Sequence, residues 1–297
     1  KACTEIVSSH FNWDFKEIHS NLYIIDSPHG EFKVETDADL IKNLAKRSKS
    51  NREANEIDFD GVIRETIQPF TETFVPVELV SPPLNLKDLT LMNQICDLLY
   101  KSGARGTSES FNYAFGAHLN PEVEEVDASY ILQHLQAFII LSDWLKDQIK
   151  IDSTRRLTGF AKDFPNKYIE LIIDNSYSPT MDQLIKDYLE YNPTRNRSLD
   201  MLPLFKHINE KLIIKEVQDT RVKSRPTFHY RLPNCQIGIP FWSISTEWQR
   251  WQTVELLANN PNVLKTAIEV YQKYRLPRLS SQTEFLSIVN DMVLSLK

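Results

Sequence analysis

The chain has 297 residues, 41% hydrophobic and 25% charged, with a formal net charge of -6, a balance that suits folded domains and excludes a largely disordered chain. The acidic excess excludes a sequence-independent nucleic-acid binder, and no apolar run reaches the roughly 18 residues of a membrane span. No nucleic-acid or membrane partner is expected. Cys3, Cys96 and Cys235 show no metal-binding spacing and read as free thiols of a reducing, cytoplasmic compartment. The chain opens on Lys1 and not on Met, as a fragment or processed form would.

The first twenty residues show a broken pattern. NLYIID at 21–26, the turn SPHG and EFKVETD at 31–37 then read as a hairpin of two strands. In the second strand Phe32 and Val34 alternate with Glu31, Lys33 and Glu35, and the same period carries Asp37 onto the face of Glu35. Two carboxylates so spaced are close enough to share a cation. An exposed edge strand with ordinary charges accounts for them more simply. Residues 42–68 are polar and mixed and read as an excursion or short helices, with the basic run LAKRSKSNR a solvated loop. TFVPVELVSPPLN follows as a strand in which Val75, Val77 and Leu79 share one face, while Glu78 points from the other and must meet solvent, a partner or a cation. Pro82 and Pro83 end it.

Leu89, Met92, Ile95, Leu98 and Leu99 recur at helical spacing between Leu86 and Ser102, with Gly103 as a C-cap. A loop containing Thr107 leads into a strand at 113–120, where Phe115, Ala117 and Leu119 alternate with Gly116, His118 and Asn120. Asp127 is an N-cap for a long helix to about Ile149, in which His134 reads as a structural or surface histidine. Residues 160–209 read as further helices, Thr180 capping MDQLIKDYLEY. Arg195, Asn196 and Arg197 in the loop after it face either phosphate or solvent. RPTFHYRLPNCQIGIP at 225–240 is an aromatic strand with Phe228, Tyr230 and Leu232 on its back and Thr227, His229 and Arg231 on its front. Two amphipathic helices follow, and Ser281 with Glu284 makes a capping box for a final helix at 281–296. Regular βα alternation is absent, so the expected class is α+β, an antiparallel sheet backed by helices.

The polar strand faces thus carry Glu35 and Asp37, Glu78, His118 and Asn120, and His229 and Arg231. Carboxylates suit a hard divalent cation and arginine suits phosphate or carboxylate, so these faces suggest metal-assisted chemistry on phosphate. There is no glycine-rich phosphate loop, dinucleotide fingerprint, GxSxG elbow or HExxH pair.

VPVELVSPPL, YAFGAHLNPE, NRSLDMLPLF and RPTFHYRLPNC, in that order, resemble the amidoligase family of the glutamine synthetase and glutamate-cysteine ligase superfamily, over about residues 30–259. The resemblance implies a glutamine synthetase catalytic-domain-like fold: a curved antiparallel sheet whose active-site face binds ATP and Mg²⁺, with helices behind. It implies one amidoligase-like domain over 1–297 that lacks the family's first strand, with 260–297 a C-terminal helical extension. The implied reaction is ATP-dependent ligation of a carboxylate to an amine, giving an amide or isopeptide bond through an acyl phosphate, with a peptide or amino acid among the substrates. By match to the motifs, Glu35, Asp37, Glu78 and His118 are expected at the metal. His118, Asn120, Ser81, Thr107 and Arg231 are expected at the nucleotide, and Arg231, Glu78 and His229 in catalysis. A catalytically impaired relative that binds a peptide or nucleotide, and a metal-dependent hydrolase, are the alternatives. Superfamily members open with a strand carrying a Glu-x-Glu-like pair, and nothing before NLYIID supplies one.

Overall fold

The computed structural model describes residues 1–19, 21–36, 77–106, 116–150, 161–275 and 282–296. Asp37, the 42–68 excursion, Val75, Thr107, Phe115 and Ser281 lie outside these residues. Two compact units divide the chain, Lys1–Ala104 and Arg105–Lys297.

In the first unit, helix α1 (Ala2–Phe11) ends at Asn12, whose φ of 54° turns the chain into strand β1 (Asp14–His19). β1, β2 (Leu22–Ser27), β3 (Gly30–Thr36) and β4 (Val77–Val80) form an antiparallel sheet in that order. The tight β2–β3 turn demands glycine at position 30: its φ is 118°, and a Cβ there would lie 3.0 Å from the Pro82 side chain. A 3₁₀ turn at Leu86–Asp88 then leads into α2 (Leu89–Lys101). Tyr23, Ile25, Phe32 and Val34 point to one side of the sheet and form a buried cluster with Val7 of α1 and Ile95 of α2. The alternation read in EFKVE is therefore what the sheet uses, and Lys33, Glu35 and Glu78 occupy the opposite side. Strand β1, DFKEIH, precedes NLYIID and carries no Glu-x-Glu pair. All six residues of β1 are exposed, and its register slips between Glu17 and His19, so no clean alternation marks it in the sequence.

The second unit runs α3 (Ala128–Ile149), α4 (Asn166–Ile172), α5 (Met181–Tyr191), β5 (Leu199–Asp200), α6 (Leu202–Ile208), α7 (Glu210–Glu216), β6 (His229–Tyr230), α8 (Ile244–Ala258), α9 (Pro261–Tyr274) and α10 (Gln282–Leu296). α3 is its axis. Asp127 Oδ1 accepts from the N–H groups of Ser129 and Tyr130 at 2.8 and 3.1 Å, satisfying two of the helix's orphan donors. α4, α5, α8, α9 and α10 all touch α3. Leu264, Ile268, Phe285 and Val289 of α9 and α10 belong to the same core as Leu135 and Trp251.

One layer of extended chain lies on this helical core. Residues 116–123 run antiparallel to 226–234 through bridges at Gly116–Asn234, Leu119–Tyr230 and Glu122–Thr227. The other edge of β6 pairs with β5, Leu199 with Tyr230 and Asp200 with His229. As expected, Phe228, Tyr230 and Leu232 form the back, each at most 1% exposed. Phe228 and Tyr230 pack on Trp251 at 5.3 and 5.4 Å, and Tyr230 meets Phe138 at 5.9 Å. His134 is buried behind this strand, its ring against Phe228 and its Nδ1 on the Tyr130 carbonyl at 2.8 Å, which makes it structural. β5 interrupts the stretch read as helices, a two-residue strand too short to show a period. Among the described residues no helix is long and apolar enough to cross a membrane.

Candidate active site

The front of the extended layer in the second unit brings together four of the expected residues, His118, Asn120, His229 and Arg231. Leu119 and Tyr230 exchange backbone hydrogen bonds, and one residue along from that bridge Asn120 meets His229, whose Nδ1 lies 2.7 Å from Asn120 Oδ1. The His118 ring meets the His229 ring edge-on at 5.2 Å. Arg231, two residues along the same face, is only 5% exposed; its guanidinium donates to the Arg195 carbonyl, and its backbone N–H donates to Ser198 O at 2.9 Å. The strand on the other edge adds a residue that the sequence reading passed over. Asp200 stands directly opposite His229 and is 2% exposed, with Oδ1 accepting from Leu202 N at 3.0 Å. Its signal in the sequence was an aspartate just ahead of an apolar run with Pro203 in its first turn, the mark of a helix start.

Burial decides the charge states here. It pushes the Asp200 carboxyl up to about 6, against the opposing pull of the Leu202 N–H and of Arg231 and Arg195. It drives the His229 imidazole down to about 3, and Arg231, Arg225 and Arg195 deepen the fall. Asp219 is held down at about 2 by its bonds to Arg221, at 2.8 and 2.6 Å, so its charge is already engaged. Near neutral pH the imidazole is therefore uncharged, and guanidinium groups dominate the face. Such a surface attracts phosphate or carboxylate. Arg197 takes no part in it: it donates to Asp163 O at 2.7 Å and Tyr191 O at 3.1 Å, neither free for phosphate nor simply solvated.

In the first unit Glu35 and Glu78 are direct cross-strand partners on β3 and β4, both exposed. Like charges directly opposite each other repel, and two carboxylates at one level of a sheet face suit a hard divalent cation. Ser81 is half-buried just after β4, and Asp37 and Thr107 lie outside the described residues. Among the described residues no group of three or more His, Cys, Asp or Glu side chains is placed to hold a metal. The Glu35–Glu78 pair thus fits Mg²⁺ by donor type as two ligands of a larger set. His118, also expected at the metal, is exposed on the second unit's extended layer with its ring against that of His229.

The described residues thus show an α+β chain with a guanidinium-rich strand face in the second unit and a carboxylate pair in the first. The chain belongs to the family Amidoligase_2, described as "Putative amidoligase enzyme", whose model matches residues 1–253. The match takes in α1 and β1, ahead of the motifs that carried the resemblance, and stops within α8. No curated protein and no solved structure matches the chain.

Proposed function

We propose that this amidoligase is an ATP-dependent carboxylate–amine ligase of the glutamine synthetase-like type, joining a carboxylate to an amine through an acyl phosphate, with an amino acid or peptide among its substrates. The observation that carries the reading is the second unit's front face, where buried Arg231 lies beside a neutral His229 in a setting that favours an oxyanion. Arg231 stabilises the charge on the transferring phosphoryl group, which a preorganised, partly dehydrated guanidinium does best. His118 and Asn120 line the same face, and Ser81 and Thr107 belong to the nucleotide contacts. Glu35, Glu78 and Asp37 hold Mg²⁺; when bound, the ion offsets negative charge on the phosphate oxygens that otherwise resists the carboxylate nucleophile.

The test is release of ADP that requires both a carboxylate and an amine, measured over a panel of amino acids and amines. Glu78→Gln, at an exposed position, is expected to keep the fold by circular dichroism and to lose at least about a hundredfold in turnover. ADP release that ignores the amine would instead indicate a hydrolase. The alternative reading is a catalytically impaired relative that binds nucleotide or peptide. Nucleotide binding without turnover in the wild type would favour it.

A further inference from the structure

His229 Nδ1 lies 2.7 Å from Asn120 Oδ1. An amide oxygen only accepts, so this contact is a hydrogen bond only when Nδ1 carries the hydrogen, which leaves Nε2 its lone pair. This is an unusual restraint to find on a polar front. His134, the buried histidine behind the same strand, bonds a backbone carbonyl of its own helix instead. The groups around the His229 ring come from every neighbouring strand: His118, Asn120 and Glu122 from 116–123, Asp200 from β5, Arg225 and Arg231 from its own strand, and Arg195 from the loop before β5. Only Asn120 makes a side-chain hydrogen bond to the ring among the described residues.

We propose that Asn120 is a positioning residue that holds His229 as its Nδ1–H tautomer, so that the neutral ring's Nε2 accepts a hydrogen bond from the attacking amine and orients it. The amine-contact part rests on the ligase reading; the tautomer lock does not. In the step concerned, the amine nitrogen forms a bond to the carbonyl carbon of the acyl phosphate. The carbon–oxygen bond to phosphate breaks, its electron pair leaving with the phosphate, which takes the proton that the amine gives up. The imidazole stays neutral throughout. Arg231 beside the ring meets the departing oxyanion.

The experiment is imidazole ¹⁵N–¹H correlation spectroscopy on the full chain labelled at histidine, with His229 assigned by the signals lost in His229→Gln. The wild type should show Nδ1 protonated and Nε2 bare near pH 7.5. Asn120→Ala should move the ring toward the Nε2–H form that an unrestrained imidazole prefers, and Asn120→Asp should restore Nδ1–H. A wild-type Nε2–H ring, or an unchanged tautomer in Asn120→Ala, would overturn the positioning role and leave the ligase reading intact. In turnover, His229→Ala should lower kcat/KM for the amine at least about tenfold. Asn120→Ala should lower it in the same direction, and Asn120→Asp should recover most of the loss. Full amine-dependent turnover in His229→Ala would overturn the acceptor role alone. A wild type with the expected tautomer but no amine-dependent ADP release would sink both the ligase reading and the acceptor role, and the tautomer lock would stand.

Discussion

Asp200 and His229 face each other across two strands, and folding shifts their protons in opposite senses. The carboxyl rises from an ordinary 3.8 to about 6, so the folded chain holds a proton that the unfolded chain releases. Its contribution to stability is complete below about pH 4 and is lost as pH rises through 6. The imidazole falls from 6.5 to about 3; its contribution is complete above 6.5 and is lost as pH drops toward 3. Between pH 4 and 6.5 the two slopes oppose each other. Asp200→Asn removes one of them. The variant should therefore lose stability on acidification from pH 6.5 to 4 more steeply than the wild type, by up to about 3 kcal/mol. Urea unfolding across a pH series checks this, and parallel curves for the two proteins would show that Asp200 titrates as an ordinary surface carboxyl. Arg231 belongs to the same ledger. Its guanidinium is buried against the Arg195 carbonyl, so Arg231→Ala should cost stability as well as turnover, about 1–3 kcal/mol, whereas Glu78→Gln should cost only turnover.

The elements that the sequence made legible are those whose side chains alternate against a core or recur along a helix. β3 and the alternation within the stretches read at 113–120 and 225–240 were legible, because Phe32 and Val34, Ala117 and Leu119, and Phe228 and Tyr230 are buried at alternate positions, although the paired segments described are 116–123 and 226–234. The caps read equally well: Asp127 and Thr180 each accept the predicted backbone N–H. β1 escaped because an exposed, bulged strand has no hydrophobic period to show. β5 escaped because two residues cannot show one, and with it went Asp200, so the site was read without its buried carboxylate. The pairing of Glu35 with Glu78 was beyond the sequence too, since register between strands so far apart in the chain has no local signature. At this scale Trp251 is the test of how the site is supported. It is fully buried and backs both Phe228 and Tyr230. Trp251→Ala should destabilise the protein by about 3–5 kcal/mol in denaturant unfolding. Asp127→Ala, which removes only a cap, should cost about 1 kcal/mol.

Among the described residues two hydrophobic clusters form, one in each unit, and they are unequal. The first unit's cluster has six buried residues, Val7, Tyr23, Ile25, Phe32, Val34 and Ile95, with partly buried neighbours around it. Among the described residues the second unit's extends from Leu119 to Val293 and includes eight helices and both extended edges. Residues 105–297 expressed alone should therefore fold cooperatively, with a helical circular dichroism spectrum and a single sharp urea transition, and should retain the His229 tautomer. A broad, non-cooperative transition would contradict an independent second core. The same piece should bind an oxyanion yet fail to turn over, having neither Glu35 nor Glu78.

The small sheet cluster also has a consequence for the protein's lifetime. Among the described residues, the six side chains buried there offset little conformational entropy, and local opening takes place where stability is least. A cell's proteases should therefore find their first cut among residues 1–104. The abundance of the active protein would then depend on mutations around Phe32 and Ile95 more than on any in the larger core.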